Sequence, residues 1–300
     1  MDKAIITGAT GLVGMSVAKY LSSLGVKLLC LGRQNLSEQD CKKYFGQGSI
    51  YISLAMKNIA LLPENLKTIG WSSHEGVVFY NFAWSGNIGL TDGTFNDQLQ
   101  NAVWSAEAVK VARVIGCSKF INSGSMEESF IDSFTKSKNK KKYESAQTNY
   151  GLAKLASRDM CKVVAYTKQL DYIHTRISAP LDSSLSKGTY ITSVIKKILN
   201  GEQYEAPQSN SLYDLVLLDD VARAYYLIGQ KGLNKEDYFI GRGRPATLKQ
   251  HFESFNQLIR GQCDNENYSC EKNQVQIFDI EPLKRDTGFV ASLGLKNIIG

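Results

Sequence analysis

The chain has 300 residues, of which 43% are hydrophobic and 21% charged, and 35 Lys and Arg against 29 Asp and Glu give a formal net charge of +6. This composition predicts a globular protein with a large buried core and excludes extended disorder. No apolar stretch reaches the roughly 20 residues that a membrane-spanning helix needs. Met1-Asp2-Lys3 leads directly into an apolar strand rather than the hydrophobic region of a signal peptide. We therefore expect a cytoplasmic protein without a membrane partner.

Most of the positive charge lies in one short segment. Five lysines and no acid fall between Lys136 and Lys142, and without them the net charge is +1. A nucleic-acid-binding protein usually presents a basic face interleaved with aromatic residues, or a known reading motif, and this chain shows neither. We expect no nucleic-acid partner. We interpret the segment as a solvated loop, with attraction of a small anionic ligand as the alternative.

The cysteines and histidines predict no metal site. The six cysteines include no C-x-x-C pair, and the three histidines, His74, His174 and His251, are scattered. A disulfide framework is not expected in a chain without a secretion signal. We expect buried thiols and no bound metal.

The first 177 residues alternate short apolar runs with longer helical patterns. Strands are predicted over 3–7, 26–31, 50–53, 77–82, 120–123 and 172–176, and helices over 12–24, 54–69, 95–115 and 148–167. Continuous apolar strands are typical of parallel strands that are covered on both faces. The alternation with helices predicts an α/β fold, a doubly wound parallel sheet of the Rossmann type.

The alternation breaks after residue 177. Helices are predicted over 189–199, 219–228 and 248–259, and strands over 212–217, 238–240 and 275–278. We predict that residues 1–177 and 212–246 form the Rossmann domain. Residues 178–211 and 247–300 would form a smaller C-terminal lobe, and the cleft between the two would hold the substrate.

A glycine-rich turn joins the first predicted strand to the first predicted helix. The first two glycines of Thr7-Gly8-Ala9-Thr10-Gly11-Leu12-Val13-Gly14 permit a tight turn and close approach of a pyrophosphate. The third lets the helix pack on the strand, and the helix N-terminus supplies N–H groups and a positive dipole end. The required strand–turn–helix context is present. We predict that the dinucleotide contacts Thr7, Gly8, Thr10, Gly11, Leu12, Val13 and Gly14.

The end of the second predicted strand indicates which dinucleotide is bound. NAD-selective sites carry an acid there for the ribose hydroxyls, but Cys30-Leu31-Gly32-Arg33 has no carboxylate. A guanidinium can pair with the 2′-phosphate that an acid would repel. We therefore predict NADP(H), with Arg33 at its phosphate.

A phenol and an ammonium share one face of the helix predicted over 148–167. Tyr150 and Lys154 lie four residues apart. A phenol with a pKa near 10 exchanges protons poorly at neutral pH, and a nearby ammonium stabilises its phenolate. The strand predicted just before this helix ends in Ser123-Gly124-Ser125, so a hydroxyl lies at the sheet edge where ligands bind.

The G-x-x-G-x-x-G turn and the Tyr150-x-x-x-Lys154 pair resemble those of the short-chain dehydrogenase/reductase family. The resemblance implies that Ser125 donates a hydrogen bond to the substrate oxygen, with Ser123 as the weaker candidate. It also implies that Asn101 completes an Asn-Ser-Tyr-Lys catalytic set and that Lys154 binds the nicotinamide ribose.

Asn81-Phe82-Ala83 resembles the segment that lines the cofactor in this family. The resemblance implies cofactor contacts at Asn81 and Ala83, in addition to those of Tyr150 and Lys154.

The segment from Tyr213-Asp214 to Asp219-Asp220-Val221-Ala222 resembles the D-F-x-x-V-D-D-V-A segment of the extended branch of this family, which acts mainly on nucleotide sugars. The resemblance implies a nucleotide-sugar substrate. It also implies a homodimer through the helices over 95–115 and 148–167, although some relatives are monomers. Substrate contacts are expected at Ser123, Met126, Glu127 and Pro180.

Three reactions of this branch compete. A 4,6-dehydratase commonly shows Thr-Asp-Glu where this chain has Ser125-Met126-Glu127, and a thioether carries no proton, although Glu127 could still act as a base. Gly124-Ser125-x-x-Glu128 resembles the pattern of reductases and epimerases. We predict an NADPH-dependent reductase of a nucleotide-linked 4-keto sugar, in which Tyr150 protonates the alkoxide. The alternatives are a redox-neutral epimerase, a dehydratase and a non-catalytic NADP sensor.

Overall fold

The computed structural model describes residues 1–71, 76–86, 91–136, 147–186, 188–262 and 276–292. The strands are β1 (Lys3–Thr7), β2 (Lys27–Gly32), β3 (Ile50–Ser53), β4 (Val78–Asn81), β5 (Lys119–Ser125), β6 (Asp171–Ile177), β7 (Ala179–Leu181), β8 (Leu212–Tyr213), β9 (Leu215–Leu217), β10 (Asp237–Ile240) and β11 (Ala246–Thr247). The helices are α1 (Leu12–Ser23), α2 (Glu38–Phe45), α3 (Leu62–Thr68), α4 (Phe95–Val114), α5 (Met126–Lys136), α6 (Thr148–Thr167), α7 (Tyr190–Leu199), α8 (Leu218–Lys231), α9 (Leu248–Ile259) and α10 (Glu281–Thr287), with 3₁₀ turns at Met56–Leu61 and Gln276–Phe278.

Seven parallel strands form the central sheet, in the order β3-β2-β1-β4-β5-β6-β10. The chain runs outward from β1 to β3 and then crosses back to β4, so the strand order reverses between β1 and β4. Ligands of such sheets bind beyond the carboxyl ends of the strands at this reversal. The predicted doubly wound α/β fold is confirmed.

Both faces of the sheet are apolar and covered by helices. Ile6 of β1 packs in a cluster with α1 and α8, and its neighbour Ile5 packs on the other face with α3, α4 and α6. Successive side chains of a strand point to opposite faces, so a strand covered on both sides is apolar throughout. This burial explains the continuous apolar runs by which the strands were predicted. No described helix is long and apolar enough to cross a membrane.

A second, smaller core lies in the C-terminal lobe. Here β7 pairs with β9 and β11 with β8, so the segment 212–217, predicted as part of the Rossmann domain, contacts the lobe; a buried cluster joins α7 to α9. The domain boundaries at residues 178, 212 and 247 stay a prediction.

A buried carboxylate interrupts the single strand that was predicted over 212–217. Asp214 separates β8 from β9, and its side chain accepts the backbone N–H groups of Arg242, Gly243 and Arg244 at 2.8, 2.8 and 3.3 Å. Asp214 is fully buried. It therefore ties the lobe to the turn that follows β10.

Three other predictions need correction, and two helices were missed. The helix predicted over 54–69 is a 3₁₀ turn followed by the short α3, with Pro63 in its first turn. Residues 276–278 form a 3₁₀ turn rather than a strand, because Phe278 packs against Phe130 and Phe239; Val275 lies outside the described residues. Helices α2 and α5 were not predicted. Lys136, expected in a loop, is the last residue of α5, and Lys138, Lys140, Lys141 and Lys142 lie outside the described residues.

Replacing Asp214 by Asn should destabilise the fold. The amide group would place an N–H donor against a backbone donor, which should lower the free energy of unfolding by about 1–3 kcal/mol. Urea denaturation followed by circular dichroism measures this change. Asp279→Asn is the matched control, because exposed Asp279 accepts one backbone N–H and Asn caps a helix as well as Asp. Equal stability of Asp214→Asn and the parent protein would contradict the assigned role.

Candidate active site

A cavity of about 860 Å³ lies at the carboxyl edge of the sheet, where the strand order reverses. The glycine turn and the ends of β2, β4, β5 and β6 line it, together with part of α6 and, after β6, Ala179 and Pro180 of β7 and Tyr213 of β8. It has the size of sites that take small molecules. Of the predicted site residues, the cavity brings together Thr7, Gly8, Thr10, Gly11, Leu12, Val13, Gly14, Arg33, Ala83, Asn101, Ser123, Ser125, Met126, Glu127, Tyr150, Lys154 and Pro180.

The glycine turn leaves no room for side chains. Gly8 has φ +65°, and a Cβ there would lie 2.7 Å from the backbone nitrogen of Ala83. A Cβ at Gly14 would overlap the carbonyl of Gly8. Gly11 is the N-cap of helix α1 and supplies no side-chain cap, so the first N–H groups of α1 are at the cavity. This arrangement suits the close approach of an anionic group to backbone donors.

Tyr150 and Lys154 are buried side by side on α6. Lys154 Nζ donates to the carbonyl of Ser123 at 2.8 Å and lies 5.6 Å from the centre of the Tyr150 ring. Burial lowers the pKa of Lys154 to about 7, and the negative charge of Glu128 opposes this change. Burial raises the pKa of Tyr150, and its hydrogen bond with Ser125 opposes this. A phenol beside an ammonium in a dry site is suited to proton transfer.

Trp84 contacts both of these side chains. Its indole ring lies 3.7 Å from Lys154 Nζ and meets the Tyr150 ring edge-to-face at 5.9 Å. The indole N–H donates to Gln98 Oε1 at 2.7 Å, which fixes the ring. Sequence reasoning missed Trp84, although it directly follows the Asn81-Phe82-Ala83 segment and was readable as an aromatic residue at the cofactor.

Ser125 ends β5 and caps α5. Its Oγ accepts the N–H of Glu127 at 3.3 Å, while the Glu128 carboxylate accepts the N–H of Ser125 at 2.8 Å. These bonds cap the first turn of α5 and resemble the capping box that the S-x-x-E spacing of residues 125–128 indicates, except that Oγ accepts from the second helical residue rather than the third. Because the cap uses a lone pair of Oγ, the hydroxyl hydrogen stays available to an acceptor in the cavity.

Ser123 supports the site through its backbone. Its carbonyl holds Lys154, and its hydroxyl accepts a hydrogen bond from Tyr225 at 3.1 Å. Ser123 therefore positions Lys154, and Ser125 is the better placed hydroxyl for a substrate.

Asn101 and Asn81 hold the loop and turn of the site. Asn101 accepts the N–H of Ser85 and donates to the carbonyl of Ser85, both at 2.8 Å, so it fixes the loop that carries Trp84. Asn81 is buried below the cavity and is not among its lining residues; its Oδ1 accepts the Thr7 hydroxyl at 2.7 Å. A direct cofactor contact of Asn81 stays a prediction.

The far end of the cavity, at β2 and β3, is positively charged. Arg33 lines it and donates to the hydroxyl of Ser85 at 3.0 Å. Lys57, which sequence reasoning missed, also lines this end. The acid among the described lining residues is Glu127, which follows β5. An anion would therefore meet two cations beyond the glycine turn.

The substrate candidates lie at the opposite end. Met126 and Glu127 begin α5, and Pro180 lies in β7 of the lobe. Tyr213 was not predicted; burial and the negative charge of Glu127 raise its pKa. No described group of His, Cys, Asp and Glu side chains is arranged to hold a metal ion.

Comparison with known proteins gives both a family and a fold. The model of the NAD-dependent epimerase/dehydratase family matches residues 4–241. A search of curated proteins finds no match. Among solved structures, UDP-glucose 4-epimerase of Thermotoga maritima has 18% identity and a TM-score of 0.72, covering 99% of this chain and 96% of that one.

Two other solved structures share the fold. UDP-N-acetylglucosamine 4-epimerase of Bacillus cereus has 15% identity and dTDP-glucose 4,6-dehydratase of Bacillus anthracis has 16%. Each has a TM-score of 0.71 and covers 100% of this chain and 94% of its own. The match to the family model over most of the chain confirms the resemblance read from the glycine turn and the Tyr–Lys pair: the chain belongs to the NAD-dependent epimerase/dehydratase family, which is the extended branch of the short-chain dehydrogenases/reductases.

Proposed function

We propose that the protein is an NADPH-dependent reductase of a nucleotide-linked 4-keto sugar. The observation that carries this proposal is the half-buried Ser125 beside the buried Tyr150 and Lys154, all three lining a cavity with two cations and no carboxylate at its far end. The glycine turn and the N-terminus of α1 fit a dinucleotide pyrophosphate. When bound, the cofactor would supply the hydride.

The chain's own residues provide the proton and hold the oxygen. The hydroxyl of Ser125 donates to the carbonyl oxygen of the sugar and so polarises it. Tyr150 gives its proton to the alkoxide oxygen. The ammonium of Lys154 offsets the negative charge that Tyr150 acquires, and this offset is large because both groups are buried. Contact with Trp84 helps to bury both side chains.

The choice of NADPH rests on Arg33. The solved dTDP-glucose 4,6-dehydratase of Bacillus anthracis is a complex with NAD, and MoeE5, which shares the fold at 16% identity and a TM-score of 0.71, is a complex with UDP-glucuronic acid and NAD. Those complexes support a nicotinamide dinucleotide and a nucleotide sugar. The guanidinium of Arg33 and the ammonium of Lys57 favour the additional phosphate of NADPH in this chain.

The second candidate is a redox-neutral nucleotide-sugar epimerase, which the shared fold with two 4-epimerases favours. A reductase consumes one NADPH for each sugar converted, whereas an epimerase consumes none. Dehydration is disfavoured because Met126 lines the cavity where dehydratases commonly carry an aspartic acid. A non-catalytic sensor is disfavoured by the retained Tyr150–Lys154 pair. Incubation with NADPH and a panel of nucleotide 4-keto-6-deoxy sugars, followed at the nicotinamide absorbance, tests the proposal; sugar conversion without NADPH loss would favour the epimerase.

Arg33→Ala should weaken NADPH binding about tenfold or more and leave NADH binding nearly unchanged, because a charge-assisted hydrogen bond contributes about 1.5–3 kcal/mol. Titration of the cofactor fluorescence measures both affinities. Arg285→Ala removes an exposed arginine on α10 and is the control. An equal loss of affinity for NADPH and NADH would contradict phosphate recognition by Arg33.

Tyr150→Phe should reduce turnover by a factor of about 10² to 10⁴, the usual contribution of a positioned proton donor. NADPH binding should persist, because the ring remains in place. Tyr166→Phe is the matched control on the same helix, since Tyr166 is not among the lining residues. Normal turnover by Tyr150→Phe would exclude the proposed mechanism.

We also propose a homodimer that pairs α4 and α6 of two copies. Val103 and Val114 on α4 and Leu152, Met160 and Val163 on α6 are exposed, with Val114 at 73% and Val163 at 61%. Light scattering should give twice the mass of the chain, and Val163→Lys should give the monomer. Leu233→Lys, which changes an exposed residue elsewhere, should not. A monomeric parent protein would overturn this proposal.

A further inference from the structure

A row of polar side chains crosses the sheet face that α4 and α6 cover. Thr7, Asn81, Asn122 and His174 are register partners on β1, β4, β5 and β6, and all are buried. A strand interior covered on both faces is normally apolar. Buried polar atoms need hydrogen-bond partners, so the direction of each bond in this row is constrained.

A backbone donor fixes the direction of the bonds at the start of the row. The N–H of Ala83 donates to Thr7 Oγ1 at 3.2 Å, and the Thr7 hydroxyl donates to Asn81 Oδ1 at 2.7 Å. The amide of Asn81 is fixed from its other side too, because Ser105 Oγ donates to the carbonyl of Asn101 and therefore accepts from Asn81 Nδ2 at 3.1 Å. Asn81 Nδ2 is thus a donor along the row.

The same direction continues to the imidazole. Asn81 Nδ2 donates to Asn122 Oδ1 at 3.0 Å, which leaves Asn122 Nδ2 facing His174 Nδ1 at 3.4 Å. Asn122 Nδ2 is a donor and the Glu128 carboxylate at Nε2 is an acceptor, which together place the ring proton on Nε2 and leave Nδ1 as the acceptor. The hydroxyl of Tyr172 also lies 3.4 Å from Nδ1, and it donates to the carbonyl of Arg158 at 3.1 Å. His174 Nε2 lies 2.8 Å from Glu128 Oε2.

Glu128 connects this row to the active site. Its second oxygen accepts the N–H of Ser125 at 2.8 Å, at the start of α5. Its side chain is fully buried. A Cβ at Gly124 would overlap both Glu128 Oε1 and His174 Nε2, so a glycine between Ser123 and Ser125 is what admits the pair.

We propose that Glu128 and His174 are positioning residues for the catalytic Ser125 and Lys154. His174, held as its Nε2–H tautomer by the polar row, donates to the Glu128 carboxylate. This carboxylate accepts the N–H of Ser125 and places one negative charge near Lys154. The proposal rests on the proposed roles of Ser125 and Lys154, but its first test requires no turnover.

The charge of Glu128 acts on groups from three elements. His174 and Tyr172 face it from β6, Tyr150 and Lys154 from α6, and Tyr225 from α8. Burial lowers the pKa of Lys154 to about 7, and the carboxylate of Glu128 raises it. Without this charge Lys154 would lose its proton at a lower pH.

The first test is nitrogen-15 NMR of the labelled histidines in the intact protein. The chain has three histidines, so His174→Gln assigns the signals of His174. We expect the parent protein to show His174 as the Nε2–H tautomer, with an Nε2 proton that exchanges slowly. A Nδ1–H tautomer or an imidazolium would overturn the proposal without any further variant.

Two variants extend this measurement. Glu128→Gln leaves one carbonyl oxygen for two donors, the Nε2–H of His174 and the N–H of Ser125, so it should weaken the bond at Nε2 and make the Nε2 proton exchange faster. Asn122→Asp leaves Glu128 in place but replaces the donor at Nδ1 by an acceptor, so both ring nitrogens face acceptors and His174 should become an imidazolium with a proton on Nδ1 as well, even if Glu128→Gln does not fold. Asp97→Asn is the matched control, since Asp97 is the exposed third residue of the capping box that begins α4. Retention of the parent signal in both row variants would overturn the proposal.

The second test uses turnover of the nucleotide sugar. Glu128→Gln should lower kcat on the order of tenfold through displacement of Ser125, with little change in KM. The alkaline limb of the pH–rate profile should move to lower pH, because Lys154 loses its ammonium earlier. Asp97→Asn should leave the profile in place. A lower rate with an unmoved limb would mean that Glu128 only caps α5. If no sugar is turned over, the proposed function fails while the NMR test still decides the tautomer.

Discussion

The burial of one ammonium group governs the arrangement of the site. An isolated charge in a protein interior is strongly unfavourable, so a buried ammonium needs hydrogen-bond acceptors, negative charge or aromatic rings around it. Lys154 has the carbonyl of Ser123 at 2.8 Å, the indole of Trp84 at 3.7 Å and the buried carboxylate of Glu128 behind it. Each of these groups is fixed by a different element: β5, the loop after β4, and α5. The position of Lys154 therefore depends on the sheet edge as a whole.

The sheet topology explains why these elements meet. In a parallel sheet all carboxyl ends lie at one edge, and the reversal between β1 and β4 separates the loops that leave it. The glycine turn after β1 and the loop after β4 border this gap, and the hydroxyl of Thr7 joins them through Ala83 and Asn81. The cavity forms where the chain crosses over, and α6, which carries Tyr150 and Lys154, lines its side.

Sequence patterns predicted the elements whose signals are local. The bounds of β1, α6 and α9 were predicted to the residue, because apolar periodicity and glycine or threonine boundaries mark them. The S-x-x-E spacing marks the start of α5, but apolar periodicity does not, because the first turn of this helix holds the buried acids Glu127 and Glu128, and Glu128 pairs with His174 of β6. Trp84, Lys57 and Tyr213 join the site from separate elements, and no local pattern indicates such contacts. The predicted strand at 276–278 was wrong because an aromatic cluster decides its conformation.

The loop after β4 contacts both ends of the site. The side-chain amide of Asn101 accepts the backbone N–H of Ser85 and donates to the carbonyl of Ser85. The hydroxyl of Ser85 accepts one N–H of the Arg33 guanidinium. A guanidinium has five donors, so this bond orients Arg33 and leaves four for a phosphate. The same loop places Trp84 on Lys154. The family resemblance implies that Asn101 belongs to the catalytic set. In the contacts described, Asn101 holds the loop that connects the cationic end of the cavity to the buried Tyr150–Lys154 pair.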